Sequence, residues 1–74
     1  MAIKYEMLRT FVTVAKAGEL QQAANTLGRT PSAVSMTLKQ LGDELGVPLF
    51  ETDRKAKLTR AGEAVLTEAE RAVR

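Results

Sequence analysis

Apolar residues recur along this chain at three- and four-residue spacing, in blocks that close on glycine. Leu8, Phe11, Val12, Val14 and Ala15 put one apolar face on a helix over residues 5 to 17, with Gly18 as its stop. Leu20, Ala23, Ala24 and Leu27 repeat the pattern over barely two turns and end at Gly28. Thr30 then offers a hydroxyl N-cap and Pro31 suits the first helical position. Val34, Leu38, Leu41 and Leu45 form the stripe of a third helix, 31 to 45, that stops at Gly46. Pro48 prevents its continuation, because it lacks an amide donor and disfavours a helical Val47. Leu49 and Phe50 are expected to fold back onto the core. The polar stretch Glu51 to Lys57, followed by Leu58, suits two short strands joined by a turn near residues 53 to 55. Thr59 can cap a last helix, 60 to 74, rich in Ala, Glu, Arg, Leu and Val. The helical pattern is still running at Arg74, as expected of a segment of a longer chain.

Composition narrows what such a chain can do. Its 74 residues make one small domain, and 45% apolar against 27% charged residues is enough for a core. With neither Cys nor His there is no disulfide, no Cys/His zinc site, no thiol nucleophile and no His-dependent catalysis. No constellation supports an enzyme, and no metal or cofactor is expected. No apolar run reaches the roughly 18 residues of a membrane helix, so a cytosolic protein with no membrane partner is expected. The net charge is only +2, but it is concentrated: residues 54 to 60 hold four cations and no acid. That places a basic hairpin beside the third helix.

The second helix, a Gly28-Arg29 turn and the third helix have the lengths of a helix-turn-helix, whose second helix enters the DNA major groove. The hairpin would be its wing. At 100° per residue, Ser32, Met36 and Lys39 lie opposite the apolar stripe and Ser35 lies at its edge. Ser hydroxyls can donate or accept, Met can touch a thymine methyl, and Lys can reach a guanine edge or a phosphate. Gln21 and Gln22 read equally well as phosphate ligands or as ordinary exposed amides. Arg9 reads as a surface charge. In the last helix Ala61, Ala64, Val65, Ala69, Ala72 and Val73 form a small-residue seam that either rests on its own domain or meets a second copy.

These residues also resemble the N-terminal winged helix-turn-helix of the LysR-type transcriptional regulators. The resemblance runs from Met7 to Leu66. It rests on Leu8-Arg9-Thr10-Phe11, Ala23-Ala24, Ser32-Ala33-Val34-Ser35, Glu44-Leu45-Gly46-Val47-Pro48-Leu49-Phe50 and Leu58-Thr59-Arg60-Ala61-Gly62-Glu63 in that order. It implies a mainly α, winged helix-turn-helix domain over 1 to 59 and a linker and dimerisation helix over 60 to 74. The family's effector-binding domain of two α/β lobes is absent from this sequence, so a small-molecule effector would act only through that missing C-terminal domain. The implied function is sequence-specific binding of double-stranded DNA in bacterial transcription control, as a homodimer on an interrupted inverted-repeat operator. Carried over position by position, base-reading contacts fall on Thr30, Pro31, Ser32, Ser35, Met36 and Lys39, and wing phosphate contacts on Arg54, Lys55 and Lys57.

The chain departs from the family pattern at several of these places. Pro31 stands where Gln is frequent, Met36 where Arg or His is frequent, Glu19 where a small hydroxyl cap is usual and Gly42 where Glu is usual. The wing is about one residue short and lacks a frequent Gly. Two other functions fit the residues: the winged-helix domain of another regulator class, such as a molybdate-responsive one, and a helical module that docks a partner protein.

Overall fold

The computed structural model describes residues 3 to 52 and 57 to 73. Four helices follow one another: α1 (Tyr5–Ala17), α2 (Leu20–Leu27), α3 (Pro31–Leu45) and α4 (Arg60–Val73). The periodic blocks thus become helices at the expected boundaries, because each apolar stripe has a face to bury. α1 is the hub against which α2, α3 and α4 all pack, and α2 also packs on α3.

Two adjoining apolar clusters fill the interior. Val14, Ala23, Ala24 and Val34 are fully buried where α1, α2 and α3 meet, and the small Ala pair lets α2 approach its neighbours closely. Phe11, Val12, Leu41, Leu49 and Ala69 form the second, joined at its edges by Met7, Leu8, Leu45, Val65 and Leu66. Leu38 and Phe50 border both clusters. Leu49 and Phe50 fold back as the sequence requires, and the Phe50 ring meets Phe11 edge-on at 5.5 Å and 71°.

Among its described residues the connection from α3 to α4 contains no regular strand. Phe50 and Leu58 form an isolated antiparallel bridge, flanked by Glu51 N–H to Lys57 C=O at 2.8 Å and Thr59 N–H to Leu49 C=O at 3.0 Å. Among the described residues this bridge takes the place of the expected pair of regular strands, and the turn expected at residues 53 to 55 lies outside them. The bridge brings the start of α4 back against Pro48 and Leu49. There Thr59 acts twice: its hydroxyl donates to the Pro48 carbonyl at 2.7 Å and accepts from Gly62 N–H at 2.9 Å.

α4 uses one side for its own domain. Gly62 and Ala69 are buried, and Val65, Leu66 and Val73 pack against the second cluster. Of the six seam residues, Ala69 is 2% exposed and belongs to this core, and Val65 and Val73 lean on it. Ala61 is half-buried, while Ala64 and Ala72 remain exposed. The seam therefore divides, with its larger members facing inward because α1 offers them apolar surface. Tyr5 Oη donates to the Val73 carbonyl at 3.4 Å, and Lys16 Nζ lies 3.6 Å from Glu70 Oε2, tying both ends of α1 to α4.

Two substitutions test this packing by urea unfolding midpoint. A Cβ on Gly62 would collide with the Leu49 carbonyl and sit 3.1 Å from Leu58 Cδ2, so Gly62→Ala should lower stability by about 1 to 3 kcal/mol. The Thr10 hydroxyl on α1 is buried with no hydrogen-bond partner among the described residues, so the near-isosteric Thr10→Val should raise stability by about 1 kcal/mol.

Candidate nucleic-acid interface

The junction between α2 and α3 is built from backbone upward. α2 ends in a pair of bonds, Gly28 N–H to Asn25 C=O at 3.2 Å and Arg29 N–H to Ala24 C=O at 2.9 Å, with Gly28 left-handed at φ 67°. This is a Schellman ending, which residues with a Cβ form at a cost. Two residues later the Thr30 hydroxyl accepts from Ala33 N–H at 3.1 Å, and Pro31 occupies the first turn. The turn is thus fixed on both sides, and the direction of α3 with it.

Val34, Thr37 and Leu41 are the buried residues of α3, which turns the opposite side outward. Ser32, Ser35, Met36 and Lys39 are exposed there, as the helical period predicts, and Pro31 is half-buried beside them. With Leu20 from the start of α2 they line one shallow concavity. Lys39 Nζ lies 3.6 Å from Asp43 Oδ2, both side chains more than 70% exposed. Such a pair contributes little and Lys39 can leave it readily. Gln21 and Gln22 are exposed on α2, and Gln21 Nε2 donates to Asn25 Oδ1 at 3.1 Å. Lys57 is exposed at the far end of the bridge, whereas Arg54 and Lys55 lie outside the described residues. On α1, Arg9 is paired with Glu6 at 3.2 Å.

One cation passed over by the sequence reading stands at this site. Arg29 is exposed in the turn, and its Nη1 donates to Thr37 Oγ1 at 3.3 Å, while that hydroxyl donates to the Ala33 carbonyl at 3.1 Å. A lone Arg in a turn reads as solvated. Its partner lies eight residues on, and only the approach of the turn to the flank of α3 brings them together. The guanidinium keeps donors to spare while anchored to the helix.

Among the described residues no group of three or more His, Cys, Asp or Glu could hold a metal, and no helix is long and apolar enough to cross a membrane. What is assembled is a capped helix with a polar and sulfur-bearing face, cations on its flank and beyond, and a short helix braced behind it. That arrangement defines a helix-turn-helix domain.

Comparison with known proteins gives the family. Residues 5 to 63 match the model of the bacterial regulatory helix-turn-helix proteins of the lysR family, and the chain belongs to that family. The HTH-type transcriptional regulator DgdR of Burkholderia cepacia is 40% identical over 74 residues, covering 99% of this chain and 25% of that protein. The probable nitrogen assimilation transcriptional activator of Synechococcus elongatus is 41% identical over 64 residues, 86% of this chain and 21% of its own length. The chain therefore spans about a quarter or less of the curated relatives it matches first. Among solved structures, Vibrio fischeri DarR in complex with DNA superposes with a TM-score of 0.92 at 28% identity, over 99% of this chain and 25% of that one. The BenM DNA-binding domain on its catB site 1 DNA does so with 0.90 at 26%, over 96% of this chain and 77% of that one.

The N-cap supplies a direct test of the local geometry. Thr30→Ala should lower stability by about 1 kcal/mol and speed hydrogen exchange at the Ala33 amide, whose side-chain acceptor it removes.

Proposed function

We propose that this chain is the DNA-binding domain of a bacterial LysR-type transcriptional regulator and binds double-stranded DNA sequence-specifically. In this reading α3 lies in the major groove, with Thr30, Pro31, Ser32, Ser35, Met36 and Lys39 towards the bases. Gln21 and Gln22 at the start of α2, and the cations Arg54, Lys55 and Lys57 of a two-stranded wing, meet the phosphate backbone. Arg29 joins them as a phosphate ligand held by Thr37. The observation that carries the reading is the exposed face of α3, held by caps at its start in a fold whose relatives include domains solved on DNA. The protein acts by binding, without catalysis, in the cytoplasm. Any small-molecule effector acts through a further domain.

A homodimer through α4 completes the proposal. With Ala69 used internally, the outer positions Ala61, Ala64 and Ala72 supply the approach to a second copy, and Val65 and Val73 border it. An Ala surface buries little area, so the dimer of this chain alone is weak. Two-fold symmetry then sets an interrupted inverted repeat, with half-sites about one helical turn or a multiple apart.

Titration of duplex binding against salt tests the central reading. Neutralising about four to six phosphates gives a slope of log affinity on log salt near −4 to −5. Arg29→Ala should reduce that slope by about one. A flat response, or no binding at low salt, overturns DNA recognition and favours a protein-docking module. For the dimer, sedimentation with a symmetric operator is decisive. Ala64→Glu, on the exposed side of α4, should abolish two-copy binding while the fold persists, and a variant that assembles as the parent does removes α4 from the interface.

A further inference from the structure

The outward face of α3 carries Ser32, Ser35, Met36, Lys39 and Gln40, with Pro31 half-buried at its start. Lys39 and the Gln40 amide can hydrogen-bond a base edge, a lysine reaching guanine and an amide adenine. Lys39 has Asp43 one turn on, 3.6 Å away. What this face offers in quantity is carbon and sulfur. Met36 is 64% exposed, and among the described residues it and Tyr5 are the large apolar side chains left in water. Leu20 and Pro31, both half-buried, complete with Met36 the apolar part of the concavity, and the Ser32, Ser35 and Lys39 side chains rim it.

Apolar surface left in water gains free energy from any apolar group that covers it. In the major groove one base feature answers that description, the C5 methyl of thymine. We infer that the concavity between the starts of α2 and α3 is a thymine-methyl subsite, so that methyl groups on the major-groove edge contribute to this protein's selection of DNA. The inference rests on the DNA-binding reading above and deepens it at the same surface. Met36 suits the task, because its unbranched, polarizable thioether adapts to a methyl approaching from different directions. The serine hydroxyls at the rim rotate to donate or accept, which tolerates whichever base lies beside the thymine. Leu20 belongs to α2, so the subsite exists only when α2 is docked against α3.

The experiment substitutes one methyl at a time. Duplexes are selected from a random pool by the 74-residue chain at low salt, and a selected duplex is resynthesised with deoxyuridine in place of each thymidine in turn. Removing the methyl at a contacted position should weaken binding about fourfold, whereas the same change in the flanks should leave it unaltered. Cytosine in place of that thymine should bind better as 5-methylcytosine than unmodified, because the methyl returns. Met36→Ala should bring the thymine-to-uracil ratio close to one, with circular dichroism confirming helix content, since Met36 lies off the buried side of α3. Equal affinity for every thymine and uracil form, with steep salt dependence retained, overturns the methyl subsite alone. Failure to select any duplex overturns the DNA-binding reading and the subsite with it.

Discussion

The ring of Phe11 is the point on which the domain turns. It lies fully buried on α1 and meets Phe50 edge-on, and Phe50 in turn borders both apolar clusters. Aromatic rings bury more surface than any aliphatic side chain, and in a chain of this size a single such contact is a sizeable share of the core. Through it the segment after α3 is drawn back to α1, which lets the Phe50–Leu58 bridge form and delivers Thr59 to cap α4. α2, α3 and α4 then share α1 as their common support.

On that support the candidate interface is positioned largely by backbone hydrogen bonds. The Schellman ending of α2 and the Thr30 cap of α3 leave little freedom between the two helices, so the outward face of α3 is displayed at a set angle. With a net charge of +2 the domain has only a modest long-range attraction for a polyanion. Placement of its cations therefore matters more than their number. Arg29 illustrates this: a single bond to Thr37 holds its guanidinium against the flank of the helix it would support.

α4 shows how a small-residue stripe can serve two surfaces. Gly62 and Ala69 allow α4 to lie close to the Leu49 carbonyl and to α1, where larger residues would not fit. Ala64 and Ala72 on the other side stay exposed.

The four helices were legible in the chain because their information is local. Apolar period, a glycine after each of the first three, a hydroxyl before α3 and α4 and proline at fixed places act within a turn or two of where they stand. The same period identified Ser32, Ser35, Met36 and Lys39 as the outward residues of α3. The helix-turn-helix lengths pointed these residues to DNA, and the resemblance strengthened that reading. The allocation of the last helix was beyond reach, since Ala69 and Ala72 are the same residue type one turn apart, and only contact with α1 makes one core and the other surface. Arg29 was overlooked for a like reason, its partner being a helix flank that chain spacing does not specify. The sequence by itself determined where helices begin and end and which side of each is apolar, because both depend on neighbours three or four residues away. Tertiary structure alone decided which apolar sides meet, which small residues are hidden and how Leu20 and Met36 come to line one concavity, because it brings together residues whose separation in space no local rule encodes.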